Sequence, residues 1–190
     1  MTLLSPPRVA DDGSVKLKAA CTRLREWTAA DAVALFGFES RPSVTRWQPY
    51  QPRTLEACAR HIERARAWAH DAPRTVYDLA VEYEGRVRGR VGARLRPERV
   101  ATLWYVVDPR CWNRGLASAA SEELISHLLD HHSIDELRAV CSVHNAASAR
   151  VAAKLGFRLV SQKSLVGSRR GLCHVFARTV SGNSAPASIG

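Results

Sequence analysis

The sequence predicts a mixed α/β domain, with a mostly antiparallel central sheet flanked by helices. Three patterns support this class. Two strand patterns, at 76–84 and 86–95, meet at the turn residue Gly85. An apolar run at 101–107 is followed by a short loop and by helical spacing over 116–131. A strand at 137–143 then precedes a second helix, which we expect to end at Gly156. Short connections favour antiparallel pairing, whereas the strand–helix–strand unit should be parallel and right-handed.

The remaining elements follow from local signals, in chain order. Residues 22–27 alternate as in a strand, and Thr28 with Asp31 resembles a capping box for a helix that ends near Glu39. The proline-containing stretch 40–53 is loop-like, and its Trp47 and Tyr50 either line a pocket or cover the core. Thr54 caps a helix to about residue 70. The last strands are expected at 157–160 and 173–180, with a basic loop at 167–171 between them.

The length of 190 residues suits one domain. We expect that domain over residues 21–180, with flexible tails at 1–20 and 181–190. The five cysteines include no CxxC pair, which argues against a zinc site or a disulfide framework and favours a reducing cytoplasm. We predict no metal. The start lacks the apolar core of a signal peptide, and no apolar run reaches the length of a membrane span.

The net charge of +10 is consistent with binding to a nucleic acid, an acidic membrane or an anionic ligand. It is equally consistent with a composition that is simply rich in arginine. One strand concentrates this charge at alternate positions. Because a strand has a period of two, these side chains should share one face, which is either solvated or meets an acidic partner. The residues are Arg86, Arg88, Arg90, Arg94 and Arg96.

The loop at 108–118 has the composition of an anion site. It joins the predicted strand to the start of a helix, whose first N–H groups lack internal partners and favour an anion. Gly115 would let the backbone approach closely, and Arg110 and Arg114 add charge. An ordinary strand–loop–helix connection explains the same residues, so the loop alone leaves both interpretations open.

Two motifs in this order resemble those of the GNAT N-acetyltransferases. The segment Trp-Asn-Arg-Gly-Leu-Ala at 112–117 is similar to the family's acetyl-CoA pyrophosphate loop. The segment 145–157, with Asn145, Ser148 and a closing Leu-Gly-Phe, is similar to its second cofactor segment. The opening strand and the Trp-Tyr-Val-Val-Asp-Pro run resemble more narrowly the ribosomal-protein N-terminal, Rim-type subgroup. The likeness covers about residues 20–180.

This resemblance implies an acetyl-CoA or other acyl-CoA cofactor, held where two central strands splay apart. The backbone of Val106 and Val107 would pair with the pantetheine arm. Asn145 would hold that arm, and Ser148 would lie near the thioester sulfur. The implied pyrophosphate contacts are Arg110, Trp112, Asn113, Arg114, Gly115, Leu116, Ala117 and Ser118. The acceptor would contact Trp47, Tyr50, Trp104 and Tyr105.

The implied reaction is direct attack of an amine on the thioester in a ternary complex, with Ser148 as the acid. A first-turn helix serine that bonds its own backbone is the alternative for this residue. The sequence departs from the family at three points, since Trp112 stands where Gln or Arg is common, Thr102 stands where many relatives carry a glutamate, and no tyrosine follows Phe157. The base is therefore open. Glu82 is the first candidate, Glu39 and His144 follow, and a water chain could replace all three.

Two classes of function remain at this stage. The first is an N-acetyltransferase acting on a peptide or protein N-terminus or on a small amine, which includes an antibiotic or another secondary metabolite. The second is a non-catalytic module that binds an acyl-CoA, a nucleic acid or an acidic partner on the same scaffold. The sequence predicts a cytoplasmic monomer or homodimer in either case.

Overall fold

The computed structural model describes residues 17–19, 22–164 and 171–180. They form one eight-stranded sheet in the order β1-β2-β3-β4-β5-β6-β8-β7. All neighbouring strands are antiparallel except β5 and β6, which are parallel. The strands are β1 (Leu17–Ala19), β2 (Thr22–Arg25), β3 (Val76–Tyr83), β4 (Arg86–Arg96), β5 (Val100–Val107), β6 (Glu136–Ser142), β7 (Arg158–Ser164) and β8 (Leu172–Thr179). The helices are α1 (Ala32–Glu39), α2 (Pro42–Thr45), α3 (Leu55–Ala69), α4 (Leu116–His131) and α5 (Ala146–Lys154).

Each face of the sheet carries its own hydrophobic core. The first core joins the sheet to α4 and α5, with Leu124 and Leu128 of α4 fully buried. The second core joins the opposite face to α1, α2 and α3, with Phe38 and Cys58 fully buried. On β5, Leu103 faces the first core and Val106 faces the second. The mostly antiparallel sheet flanked by helices, predicted from the sequence, is confirmed.

Local caps explain why several helices begin and end where the sequence predicted. The Thr54 side chain accepts a hydrogen bond from Ala57 N at the start of α3. Asn145 Oδ1 does the same for Ser148 N at the start of α5. After α5, Gly156 has φ 78°, and Phe157 N donates to Ala152 O, which together close the helix.

Two segments differ from the sequence prediction. Residues 17–19 were expected in a flexible tail, yet they form β1, with Leu17 opposite Leu24. Residues 15–19 alternate apolar and polar (Val-Lys-Leu-Lys-Ala), which was a usable signal for this strand. The stretch 40–53 contains the short helix α2, which Pro42 can start because a first-turn residue needs no N–H donor. The remaining predicted tail residues and most of the basic 167–171 loop lie outside the described residues.

The predicted arginine face on β4 is wrong, because a β-bulge breaks its period. Val81 pairs with Gly89 while Glu82 pairs with Val87, so Arg88 is an extra residue in β4. Val87 therefore packs in the second core, whereas Val91 packs in the first. Arg90, expected on the surface, is only 5% exposed and binds Glu39 of α1.

The strands β5 and β6 separate as the resemblance implied. They pair from Val100 with Glu136 to Leu103 with Ala139, and then no further. Beyond this point β6 continues alongside β8 only. The edge of β5 from residue 104 to 107 is therefore open on the side that faces away from β4.

The described residues hold no membrane span, metal cluster or disulfide. No described helix combines the length and the hydropathy needed to cross a membrane. No described cluster of His, Cys, Asp or Glu could hold a metal ion. None of the described cysteines, which are Cys58, Cys111, Cys141 and Cys173, forms a disulfide.

Candidate active site

A cavity of about 500 Å³ opens where β5 and β6 separate. Its walls come from three regions, namely the end of β5 with the loop into α4, the start of α5, and the segment after α2. The lining includes most of the residues predicted to bind the cofactor, which are Val106, Val107, Trp112, Asn113, Gly115, Leu116, Ala117, Ser118, Asn145 and Ser148. The sequence motifs therefore converge on one cavity, although they lie about 30 residues apart in the chain.

The first turn of α4 forms one wall of the cavity and fits an anion. Gly115 occupies the cap position with φ 81°, where no side chain caps the helix. The first N–H groups of α4, at Leu116, Ala117 and Ser118, therefore have no capping side chain, and the helix dipole adds a positive potential. The cavity carries no described carboxylate on its lining, so a phosphate meets no opposing charge there.

On β5, the backbone N–H and C=O of Val107 face the cavity, whereas those of Val106 face β4. Asp108 N donates to Arg88 O across the β4–β5 ladder. Because antiparallel strands alternate, the N–H and C=O of Val107 point away from β4, and those of Val106 point toward it. The Trp112 indole, which donates to Val107 O at 2.9 Å, confirms the direction of that carbonyl. Val107 is thus the residue whose backbone faces the gap.

Ser148 and Tyr105 form a hydroxyl pair inside the cavity. The two oxygens lie 2.6 Å apart, and the Tyr105 hydroxyl also lies 3.2 Å from Ser148 O. Burial raises the pKa of Tyr105 to about 12, so the phenol keeps its proton near neutral pH. The Ser148 hydroxyl contacts a second side chain and is therefore more than a helix serine bonding its own turn.

Asp108 stabilises the loop between β5 and α4. It also pairs with Arg110, one of the two arginines predicted to bind the phosphates. Its carboxylate accepts bonds from Arg110 Nη2 at 2.7 Å and from Arg88 at 3.2 Å, and it caps the turn at Arg110 N. Burial raises the pKa of Asp108, but its bonds with Arg110 outweigh burial and hold that pKa below the usual range. Arg110 and Arg114 do not line the cavity.

The four aromatic residues predicted at the acceptor separate into two pairs. Trp47 and Tyr105 line the cavity, whereas Tyr50 and Trp104 do not. The Tyr50 hydroxyl donates to Glu39 Oε1 at 2.7 Å and accepts from Arg90, so it anchors the segment after α2. The Trp104 ring lies over Gly92, where an added Cβ would come within 2.4 Å of it.

A match to a protein family identifies the class of protein that carries this cavity. The profile described as "Acetyltransferase (GNAT) domain" matches residues 22–158, which is well over half of the chain. This chain belongs to the GNAT acetyltransferases. It is therefore an acyltransferase enzyme, and an acyl-CoA is its cofactor.

Individual relatives agree with this membership. The uncharacterized N-acetyltransferase YoaA of Bacillus subtilis (strain 168) is 26% identical over 140 residues, covering 71% of this chain and 78% of YoaA. RimL, a ribosomal L7/L12 α-N-protein acetyltransferase solved with coenzyme A, superposes with a TM-score of 0.76 at 16% identity, covering 87% and 98% of the two chains. Mycobacterium smegmatis RimJ, solved in complex with a CoA-disulfide, gives 0.75 at 19% identity, covering 88% and 87%. At these identities the two structures establish the shared fold.

The three candidate bases of this acetyltransferase have different positions. Glu82 Oε2 accepts from Arg25 Nε at 2.8 Å, and Glu82 does not line the cavity. Glu39 is fully buried between Arg90 and Arg53, whose charges outweigh burial and hold its pKa below the usual range. His144, at the end of β6, is the candidate that lines the cavity.

The sequence analysis missed four polar residues of the cavity. Arg46 and Gln48 follow α2, and Arg150 and Lys154 lie four residues apart on α5. The spacing of the α5 pair was a usable signal, because residues four apart share one face of a helix. Nothing in the local sequence marked Arg46 or Gln48, because only tertiary packing brings the segment after α2 to the cavity.

Proposed function

We propose that this acetyltransferase moves an acetyl group from acetyl-CoA to a primary amine, which belongs to a peptide or protein N-terminus or to a small molecule. The observation that carries the proposal is one cavity joining an uncapped helix start, an open strand edge and a hydroxyl pair. Phosphates, an extended amide arm and a departing thiol each need one of these features. The two Rim-type neighbours favour an N-terminal amine, since RimL is described as an α-N-protein acetyltransferase.

The donor's parts correspond to particular walls of the cavity. The N–H groups of Leu116 to Ser118 would receive the pyrophosphate, and the outward-facing backbone of Val107 would pair with a pantetheine amide. Arg150 and Lys154 supply positive charge on the same side of the sheet as α4. When bound, the donor supplies the thioester carbon that the amine attacks.

Ser148 is positioned to donate a proton to the departing sulfur. When the Tyr105 hydroxyl donates to Ser148 Oγ, the serine's own O–H remains free to donate to another group. Once Ser148 has given up its proton, the phenol stabilises the oxygen through the same 2.6 Å contact. Tyr105 on β5 thus takes the role that a tyrosine after the second motif has in many relatives.

His144 is the side chain that we assign as the base toward the amine. It lines the cavity, whereas Glu82 and Glu39 are held in ion pairs outside it. Histidine is the commonest general base, and an exposed imidazole can pass the proton to solvent.

Release of free thiol from acetyl-CoA, measured with a panel of amines and peptides, tests the activity. We expect at least one peptide N-terminus or small amine to stimulate release, with acetylated product found by mass spectrometry. If acetyl-CoA binds but no acceptor stimulates release, the chain is a non-catalytic acyl-CoA-binding module, which is the alternative considered from the sequence.

Two variants in the same assay separate the proposed proton transfers. Ser148→Ala should lower kcat by about 100-fold with little change in acetyl-CoA affinity, because general acid catalysis contributes at least that factor. His144→Gln should also lower kcat, and added imidazole should restore part of the rate. The matched control is Ser126→Ala, an exposed serine on α4. An unchanged rate in Ser148→Ala, or no imidazole rescue in His144→Gln, would remove the corresponding role.

A further inference from the structure

The charged groups on the cavity lining all have one sign. Among the described lining residues, Arg46, Arg150 and Lys154 are cations, and there is no aspartate or glutamate. None of these three has a carboxylate within ion-pair distance in the described part of the chain. Asp108, at the start of the loop into α4, already pairs with Arg88 and Arg110. A ligand that fills this cavity therefore meets uncompensated positive charge.

The donor accounts for part of this charge but not for Arg46. Arg150 and Lys154 belong to α5, which packs with α4 on the first core, beside the proposed phosphate site. Arg46 follows α2, whose Val44 packs in the second core on the opposite face of the sheet. The segment that carries Arg46 therefore packs on the other face of the sheet from the helix start that would hold the phosphates.

The ring of Trp47 orients the guanidinium of Arg46 for hydrogen bonding. Its guanidinium carbon lies 4.6 Å from the centroid of the Trp47 ring. A guanidinium stacked on an aromatic face keeps its N–H donors at the edge, where they can bind a carboxylate in a bidentate manner. Trp47 and Gln48 line the cavity beside it, so the three residues form one continuous wall.

The backbone that carries this wall is fixed at both ends. Arg46 N donates to Pro42 O at 3.0 Å, and Gln48 N donates to Thr45 O at 2.9 Å. Farther along, Arg53 N donates to Glu39 O at 3.0 Å, and the Tyr50 hydroxyl binds the same glutamate. A charge held on a fixed segment binds an anion without a large cost of ordering.

We infer that Arg46 and Trp47 form a carboxylate subsite for the acceptor, so that the preferred amines carry an acidic group close to the amino group. This inference rests on the proposed function. The carboxylate comes either from an acidic side chain that follows a peptide N-terminus or from the α-carboxylate of a free amino acid. Arg46 is then a specificity-determining residue, and a neutral acceptor leaves its charge unused.

Matched acceptors test the subsite. Two C-terminally amidated hexapeptides with alanine first, one followed by Asp-Glu and the other by Asn-Gln, distinguish the side-chain source. A free amino acid and its amide distinguish the α-carboxylate source. We expect the acidic member of at least one pair to have a kcat/KM roughly tenfold higher, the size of one charge-assisted contact. The preference should shrink as salt is added.

Two variants decide whether Arg46 causes this preference. Arg46→Gln should abolish it, because the kcat/KM of the acidic acceptor should fall to that of its neutral partner. The control, Arg41→Gln, removes the same charge from an exposed side chain outside the cavity lining and should keep the preference.

Each contrary outcome has a distinct meaning. Equal use of acidic and neutral acceptors, or a preference that survives Arg46→Gln, overturns the subsite while the acetyltransferase activity stands. Loss of the preference in both variants shows a general field effect and also overturns it. If no acceptor stimulates thiol release although acetyl-CoA binds, the proposed function itself fails.

Discussion

At the scale of single residues, Glu123 on α4 has an unusual environment outside the cavity. Both of its carboxyl oxygens are buried, and neither has a hydrogen-bond partner among the described residues. Burial raises the pKa of Glu123 to about 7, well above the ordinary 4.5. Near pH 8 the folded protein must therefore hold an unpaired, partly desolvated carboxylate.

This position predicts a pH-dependent gain from Glu123→Gln. Between pH 4.5 and 7 the folded state binds a proton that the unfolded chain releases, so this group lowers stability as pH rises. The variant should be more stable than the parent by about 1 kcal/mol at pH 8 and nearly equal to it at pH 5. Urea unfolding at both values measures the difference. Glu122→Gln, at an exposed neighbour, is the control, and the same pH-dependent gain in both variants would contradict the assignment.

Single-residue signals also explain which parts of the site the sequence could predict. Asn145 was predicted as a cap and Gly115 as a residue that lets the backbone approach a ligand, because both signals act close in sequence. The contact between Tyr105 and Ser148 could not be predicted, since 43 residues separate the two. Arg110 was assigned to a phosphate because the sequence does not show that Asp108 takes its guanidinium.

At the scale of elements, the approach of β4 to β5 depends on a glycine. A Cβ at Gly89 would lie 2.5 Å from Val106 O and 3.3 Å from Val107 Cα, both backbone atoms of β5. Gly89 also follows the bulge residue Arg88. The position of the strand edge that faces the cavity is thus set partly by the missing side chain.

Gly89→Ala should disturb both stability and donor binding. The added methyl group must push β5 away, which we expect to cost about 1–3 kcal/mol and to weaken acetyl-CoA binding. Thermal unfolding and equilibrium binding of acetyl-CoA measure the two effects. At Gly37, in α1, an added Cβ meets nothing within 4 Å, so Gly37→Ala should be neutral or slightly stabilising. If Gly89→Ala binds acetyl-CoA as the parent does, the strand spacing does not limit donor binding.

The elements themselves were largely predictable from the sequence, because period and caps agree for α3 and α5, and the helical period alone indicates α4. The bulge in β4 was not, since strand pairing with β3 decides where the extra residue lies. β1 was missed although residues 15–19 alternate apolar and polar, because so short a run forms a strand only by pairing with β2. Sequence periodicity therefore predicts elements well where one face is buried continuously, and poorly where a partner strand determines the geometry.

At the scale of the whole molecule, a buried ionic network joins the helices of the second core to the sheet. Arg90 Nε donates to Glu39 Oε1 at 2.6 Å, and Arg90 Nη1 donates to Asp78 Oδ2 at 2.7 Å. Asp78 also accepts from the Trp27 indole at 3.1 Å and lies 3.3 Å from His61 Nε2. The burial of Asp78 raises its pKa, but Arg90 outweighs burial and holds that pKa below the usual range.

Replacing Arg90, at the centre of this network, should therefore destabilise the protein far more than replacing Arg86 on the same strand. Arg90→Leu leaves buried carboxylates uncompensated, which we expect to cost about 3–5 kcal/mol in the free energy of unfolding. Arg86→Leu, at the exposed start of β4, should change that free energy by no more than about 0.5 kcal/mol. Urea denaturation of both variants tests this, and equal losses would mean that the network does not stabilise the fold.

Because the two cores lie on opposite faces of the sheet, the two walls of the cavity can evolve separately. The donor side of the cavity is built on the core of α4 and α5, and the wall around Arg46 is built on the core of α1, α2 and α3. Substitutions that reshape one wall need not disturb the packing beneath the other. Acceptor choice can then diverge while donor recognition stays constant, so exchanging residues 46–53 between relatives is a practical route to new specificities.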